Sequence, residues 1–343
     1  MHRIDITRSL LEATIDKALR DLQTDPERSV RNLVDLAQSF SNGRFQKNFF
    51  SIIQSLLEDQ DSAYYTLVRS VVSRVDHQTL KTFGINLGYN GCTVGAERIR
   101  RNEQELHFNI PWSVAFMLDR AAGSVSSGEI AETIRQGKAL GVYTYLLFCN
   151  GDTVRDAVAL ARMFDDCAFL VFFSPECLDA QLADELRSCH NCLLSLDADK
   201  EDCARAAALL WERQCLYALH TFYTQDRLEE IRSDAWLRRC VSCNGVFAFL
   251  ISRGDYDGPV QRQIRAYTLQ VRNRQQYPIF LIDLSSDLLS IDEIVSDEAC
   301  SMGFDAQGRA WTRTAASSDA DCNLRNSTLT EILRRVTPKS ASC

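Results

Sequence analysis

Two pairs of cysteines have the spacing in this sequence that is most typical of a metal site. Two residues separate Cys189 from Cys192, and two separate Cys240 from Cys243. Four-cysteine zinc sites are built from two such pairs, because each pair supplies two thiolates from one turn. The pairs come ahead of the fourth and sixth predicted strands, and the 47 residues between them contain the fifth, over 215–222. This separation favours reduced thiols packed as small hydrophobic groups and leaves zinc as the alternative.

A second set of reactive side chains follows the predicted strands. Its members are Asp119, Asp152, Ser174, Asp197, Asp199, His220, Tyr223, Arg253, Asp255 and Asp283. Among these, Asp119, Asp197, Asp199, His220 and Asp255 are the candidates for acid–base catalysis or for binding a divalent metal. Aspartates at strand ends also serve as helix caps and turn formers in any acidic protein. The spacing of the set matches no hydrolase motif, so both interpretations stay open.

Alternating strands and helices from residue 109 onward must position these groups. Apolar runs predict strands over 112–118, 142–149, 168–174, 192–197, 215–222, 245–252 and 278–284. Helices are predicted over 127–140, 153–164, 176–189, 200–213, 226–241 and 259–276. Apolar strands separated by helices favour parallel pairing with right-handed crossovers. No glycine-rich dinucleotide turn follows the first strand, so a full or partial βα barrel fits better than a doubly wound sheet.

The sequence divides into four predicted segments. They are a helical N-terminal domain over 1–82, a connecting segment with a helix over 83–108, the barrel over 109–290 and a small extension over 291–343. Helical spacing of apolar residues indicates the first segment. The last segment predicts a hairpin around Gln307-Gly308 and then a short helix capped near Ser327 or Thr328.

Composition excludes several classes of protein. The 343 residues carry a net charge of -8, and the mean hydropathy is -0.18. An acidic chain without a basic stripe lacks the electrostatic signature of a nucleic-acid binder, and no apolar run is long enough to span a bilayer. The amphipathic N-terminus carries acids and predicts no targeting signal, so we expect a cytoplasmic protein. Thirteen scattered cysteines, an odd number, do not indicate a secreted disulfide framework.

Several stretches together resemble radical S-adenosylmethionine (SAM) proteins, in particular the group with a helical N-terminal domain and an auxiliary-cluster-like C-terminal extension. They are DPERSVRNLVDLAQSFSNGRFQKNFF, LKTFGINLGYN, GAERIRRNE, FNIPW, IRQGKALGVYTYLLF, FDAQGRAW and NLRNSTLTEILRR. The resemblance covers nearly the whole chain. It implies an α/β fold with a partial TIM-like barrel of the radical SAM type, preceded by an α-helical domain and followed by a β-hairpin and helix extension.

The same resemblance shows which cluster ligands this chain lacks. Active members carry C-x3-C-x2-C after the first strand, where three thiolates hold a [4Fe–4S] cluster whose fourth iron binds SAM. The corresponding loop here, 119–125, is short and contains no cysteine. Neither Cys92 nor Cys149 can restore the spacing. The sequence therefore predicts a degenerate relative that has lost the iron–sulfur cluster.

Two further family signatures are also altered. The Gly-Gly-Glu-Pro turn that holds the SAM amino group aligns with Cys149, Asn150, Gly151 and Asp152, where the acid comes one position late. In the tail, Cys300 and Cys322 remain of the auxiliary-cluster region, and Arg313 stands near the position of a ligand thiol. Residues 149–152 are therefore a degenerate candidate SAM site.

These observations predict a pseudoenzyme that acts by binding. The expected partner is a protein, either an active radical SAM paralogue or the substrate of that paralogue, and neither nucleic acid nor a membrane. Two alternatives stay open. One is an enzyme with new chemistry at the barrel mouth, carried by Asp197, Asp199 and His220. The other is a protein that still binds a SAM-like nucleotide.

Overall fold

A computed structural model describes residues 12–18, 20–21, 59, 61–253, 258–296, 298–313 and 316–339. Much of the predicted helical domain over 1–82 and the candidate Asp255 therefore lie outside the described residues. Of that domain, residues 12–18 and 20–21 are helical, and two further helices follow. They are α1 (Ala63–Arg74) and α2 (His77–Gly84).

Helix α2 continues without a break into a π-helical segment, Ile85–Gly95, and then into α3 (Ala96–Leu106). The carboxylate of Asp76 caps the start of α2 by accepting from the backbone N–H of Thr79. Within the π-helical segment, the buried amide of Asn86 donates to two carbonyls of the loop at 165–167, and Asn90 donates to a third. The helix that crosses this loop thus supplies hydrogen-bond donors to the loop's backbone carbonyl groups.

Alternating strands and helices form the barrel-like body in the described part of the chain. The parallel strands are β1 (Ser113–Leu118), β2 (Thr144–Cys149), β3 (Ala168–Phe173), β4 (Cys192–Asp197), β5 (Tyr217–Tyr223), β6 (Phe247–Ser252) and β7 (Phe280–Asp283). The helices are α4 (Ser127–Leu140), α5 (Val154–Met163), α6 (Ala180–Arg187), α7 (Cys203–Glu212), α8 (Leu228–Arg232), α9 (Ala235–Ser242), α10 (Pro259–Arg274) and α11 (Leu284–Val295). Each predicted strand is present within a few residues of its expected bounds.

Two helix predictions need correction. The single helix expected over 226–241 is two helices, α8 and α9, because Asp234 between them adopts a left-handed conformation with φ 62°. The hydroxyls of Tyr267 and Tyr277 donate to the carboxylate of Asp234 and fix this break. Helix α11 is absent from the predicted helices. It begins at Leu284, directly after Asp283, the last residue of β7, so no loop separates strand from helix.

The strands form one sheet in the order β7-β6-β5-β4-β3-β2-β1-β8-β9. Strand β8 (Met302–Phe304) runs parallel to β1, and β9 (Ala310–Thr312) runs antiparallel to β8. Among the described residues, β1 pairs with β8 on its outer side rather than with β7, so the sheet is a curled half-barrel. The predicted partial TIM-like barrel is confirmed. The hairpin around Gln307-Gly308 and the helix capped at Thr328, α12 (Leu329–Val336), are confirmed as well.

The two faces of the sheet have separate cores. The outer face packs against the surrounding helices through residues such as Phe116, Tyr145 and Phe169. On the inner face, Leu170 and its neighbours share a second cluster with Phe83 of α2. The N-terminal helices thus cover the inner face near the amino ends of the strands. In the described ranges, no helix has the length and apolar character that crossing a membrane requires.

Candidate functional site

A cluster of aromatic rings fills the inner face near the carboxyl ends of the central strands. Phe148 stacks on Phe172 with ring centroids 4.5 Å apart. His220 meets both Phe172 and Phe222 edge-on, at 5.3 Å and 5.5 Å, and Phe249 lies 5.5 Å from Phe172. Edge-on and offset stacked rings are the favourable arrangements of such a cluster. The centre of the barrel mouth is therefore packed with side chains.

His220 lies inside this cluster and is buried, with 2% of its surface exposed. Its Nδ1 atom lies 3.1 Å from the hydroxyl of Ser195, which is also buried. Burial lowers the pKa of His220 to about 3, although the nearby charge of Asp199 opposes the shift. The imidazole is therefore neutral at pH 7 and closed off from solvent. This environment suits packing rather than proton exchange with a substrate.

Asp197 and Asp199 follow β4 and have opposite environments. Burial raises the pKa of Asp197. Burial also acts to raise the pKa of Asp199, but hydrogen bonds from Arg227 and Thr221 outweigh it and lower the pKa. The two guanidinium bonds to Asp199 are 2.6 Å and 2.9 Å long, and Arg227 also pairs with Glu230 at 2.9 Å. Asp199 is thus held by an ion-pair network at the rim.

The candidate SAM-binding turn at 149–152 contacts the loop that follows β1. The amide of Asn150 donates to Asp119 at 3.1 Å, and the guanidinium of Arg120 contacts Asp152 at 2.9 Å. The first of these bonds lowers the pKa of Asp119. The Gly151 carbonyl accepts from the thiol of Cys177 at 2.9 Å. These contacts hold the loop after β2 against the loop after β1 on one side and the loop after β3 on the other.

The C-terminal extension closes over the same first loop. The guanidinium of Arg325 donates to the carbonyl of Gly123 at 3.0 Å, to the carbonyl of Ser124 at 2.7 Å and to the carboxylate of Glu129 at 2.9 Å. The backbone N–H of Val125 donates to the carbonyl of Ala306, which lies between β8 and β9. Sequence analysis gave Arg325 no role, because its partners lie about 200 positions earlier in the chain.

The residues around this loop do not fit a [4Fe–4S] cluster. The loop contains no thiol, and its carbonyl groups already accept from Arg325. Burial raises the pKa of the nearby Cys149 thiol to about 12, and Cys177 donates to a carbonyl. In the extension, burial raises the pKa of Cys300. Cysteine thiolates are the ligands such a cluster requires, and the loop after β1 supplies none.

The candidate zinc cysteines are not brought together. Cys189 and Cys192 interact with each other, whereas Cys243 interacts with Cys203 of α7. Cys240 is buried in the core. Strand β5 lies between the two pairs, as its position in the sheet requires. Within the described residues, no group of three or more His, Cys, Asp or Glu side chains is placed to hold a metal ion.

A polar cleft that sequence analysis missed lies at the opposite end of the sheet. Its volume is about 590 Å³. It is bounded by α2, the π-helical segment, the end of α5 and the turn before β4. Lys81, Arg162, Asp166, Cys189 and His190 are among its lining residues. The spacing of Cys189 and Cys192 is the one sequence signal for this place, and it favours packed reduced thiols, with a zinc site as the alternative.

Replacing Arg325 with alanine is expected to loosen the loop at 119–126. The change removes three charge-assisted hydrogen bonds at a partly exposed position, so the stability loss is about 1 kcal/mol, while local opening increases more strongly. Hydrogen–deuterium exchange should show faster exchange in this loop. Arg335→Ala is the matched control, because Arg335 bonds only within the extension, to Ser327 and Asp321. Equal exchange in both variants would contradict the contact.

The half-barrel of parallel strands with its hairpin extension has a counterpart among solved structures. Among solved structures, the chain is similar to SuiB of Streptococcus suis bound to S-adenosylmethionine, with a TM-score of 0.50 and 9% identity over 69% of this chain and 67% of that one. Another SuiB structure matches with a TM-score of 0.46 and 10% identity over 61% and 62% of the chains. No protein-family model and no curated protein matches the sequence. At this identity the first match concerns the fold alone.

Proposed function

We propose that this chain is a radical-SAM-like pseudoenzyme that acts by binding in the cytoplasm. Its partner is an active radical SAM paralogue or the protein or peptide substrate of that paralogue, rather than nucleic acid or a membrane. One observation carries the proposal: the loop after β1 has no thiol and is closed by Arg325. A chain that keeps the barrel without the cluster ligands keeps surfaces for recognition while losing the means of radical chemistry.

Anaerobic reconstitution with iron and sulfide tests the loss of the cluster. We expect a colourless protein without iron–sulfur charge-transfer absorbance and with substoichiometric iron after desalting. The Cys177→Ser variant is the matched control, because Cys177 is a partly exposed thiol at the barrel mouth. Stoichiometric iron and sulfide with a brown colour, retained in both proteins, would contradict the proposal.

Co-purification tests the binding half of the proposal. The chain is mixed with a radical SAM paralogue from the same organism whose first loop keeps C-x3-C-x2-C, with and without the substrate of that paralogue. We expect a complex of defined stoichiometry in size-exclusion chromatography at micromolar concentration. Independent elution of all components would contradict the proposed role while leaving the missing cluster unaffected.

The two alternatives have less support from the geometry. SAM binding at 149–152 would use the polar groups of this turn. Two of them, Asn150 and Asp152, already contact the loop after β1. Calorimetry with SAM decides this alternative, since heat at millimolar ligand would favour it. New chemistry at the barrel mouth requires an accessible His220, whereas this side chain is 2% exposed.

A further inference from the structure

The cysteine pair at 189 and 192 lies beside the polar cleft at the amino end of β4. Cys192 is the first residue of that strand, and Cys189 lies in the turn that connects it to α6. The two thiols interact electrostatically, so that each shifts the pKa of the other. Both are buried, and of the two Cys189 is among the residues that line the cleft. Cys189 is therefore the thiol of the pair that a molecule in the cleft reaches first.

The turn that carries the pair is held in one conformation. The buried amide of Asn191 donates to the carbonyls of Ala161, Phe164 and Cys167 at 2.9, 3.0 and 3.1 Å. The Nδ1 atom of His190 lies 3.0 Å from the hydroxyl of Thr79. Both residues between the cysteines are thus anchored to neighbouring elements. The turn that carries both cysteines is therefore fixed by contacts with α5, the loop after it and α2.

The charges around the pair make its two thiols unequal. The interaction with Cys192 lowers the pKa of Cys189 to about 7 against the opposing effect of burial, and the guanidinium of Arg162 lowers it further. The same interaction, together with burial, raises the pKa of Cys192. Glu185 acts in the opposite direction on Cys189. The other charged or titratable groups that line the cleft are Glu12, Lys81, Asp165, Asp166 and His190. The unequal pair combines a nucleophilic thiolate with a resolving thiol.

We propose that Cys189 and Cys192 form an oxidisable dithiol whose substrate is a hydroperoxide small enough to enter the cleft. The Cys189 thiolate attacks one peroxide oxygen and breaks the O–O bond, which gives a sulfenic acid and, once the leaving oxygen takes a proton, water or an alcohol. The Cys192 sulfur then displaces the sulfenic oxygen, which leaves as water with the Cys192 proton. Two electrons pass from the thiols to the peroxide, and one disulfide remains.

The position of this pair differs from the usual one in thiol–disulfide oxidoreductases. A C-x-x-C motif near a βαβ pattern in a cytosolic protein is typical of redox chemistry. In this chain the motif lies at the point where a helix is followed by a strand. A second contact between thiols among the described residues joins Cys203 and Cys243. No cation appears among the groups that set the pKa of Cys243. This proposal is independent of the proposed binding function, since it concerns the opposite end of the sheet.

Mass spectrometry of the full chain after treatment with hydrogen peroxide tests the proposal. We expect the mass of the reduced protein to fall by two hydrogen atoms, and peptide mapping to find Cys189 joined to Cys192. Dithiothreitol should reverse the change. In the Cys192→Ser variant no disulfide can form, and we expect dimedone to trap a sulfenic acid on Cys189. Full alkylation of both cysteines after peroxide treatment, with no dimedone adduct in the variant, would overturn the proposal.

Two variants separate this reaction from general oxidation. Cys243→Ser removes the other thiol contact and should leave formation of the 189–192 disulfide unchanged. Arg162→Gln reduces the thiolate fraction of Cys189 and should slow disulfide formation about fivefold at pH 7. Protection of the two thiols from alkylation that a zinc chelator removes would overturn the proposal in favour of a metal site.

Discussion

Replacing Gly95 with alanine is expected to lower the free energy of unfolding by about 3 kcal/mol. Gly95 ends the π-helical segment where it crosses the end of α4. A Cβ atom at this position would lie 2.5 Å from the carbonyl oxygen of Gly141 and 2.7 Å from that of Asn90. Both neighbours are backbone atoms, so neither can turn aside as a side chain could. In the variant, the helix that contains Gly95 and the chain at Gly141, at the end of α4, must therefore move apart.

Urea unfolding compares this variant with Gly88→Ala. Gly88 lies in the same π-helical segment, and a Cβ atom there meets nothing within 4 Å. The control should be neutral or stabilised by up to about 1 kcal/mol, because alanine favours helical conformations over glycine. Equal midpoints for the two variants would contradict the close approach of Gly95 and Gly141.

Acid is expected to destabilise the protein through His220. The unfolded chain binds a proton at this side chain near pH 6.5, whereas burial lowers the folded-state pKa to about 3. Its contribution is therefore fully present above pH 6.5 and is lost progressively as the pH falls towards 3. Lowering the pH from 7 to 5 therefore reduces the free energy of unfolding by about 2 kcal/mol through this residue.

The double variant Ser195→Ala/His220→Leu should lose this part of the pH dependence. Both partners of the buried hydrogen bond are removed, so no buried polar group is left unpaired. Denaturant unfolding at pH 7 and pH 5 measures the difference. The single variant Ser195→Ala keeps the imidazole and should keep the acid sensitivity. An unchanged pH dependence in the double variant would contradict the burial of a neutral His220.

Local patterns in the sequence predicted most of the barrel. The continuous apolar run at 192–197 gives β4, and the alternation of such runs with helices gives parallel pairing. The strand that pairs with the outer edge of β1 could not be predicted in the same way. It is β8, a three-residue strand that pairs with β1 across nearly 190 positions of sequence. The π-helical segment was also missed, since helical periodicity does not distinguish it from an α-helix.

The candidate site was predicted less well, for a related reason. A strand end predicts that His220 is near the barrel mouth, but its exposure depends on neighbours from other strands. Phe148, Phe172 and Phe249 occupy inward positions on three different strands and cover it. Likewise, cysteine spacing places Cys189 beside Cys192 but gives no distance to Cys240. Contacts between segments that are far apart in the sequence cannot be predicted from local spacing.

The pairing of β8 with β1 also sets the order in which the molecule can be completed. Strand β1 is made before β2 to β7, yet its outer neighbour is made about 190 positions later and Arg325 about 200 positions later. Until then one side of the first parallel strand has unpaired backbone groups, which other chains can join. A chain truncated before residue 302 would leave this edge of β1 exposed. We expect such a chain to aggregate rather than to form a smaller stable barrel.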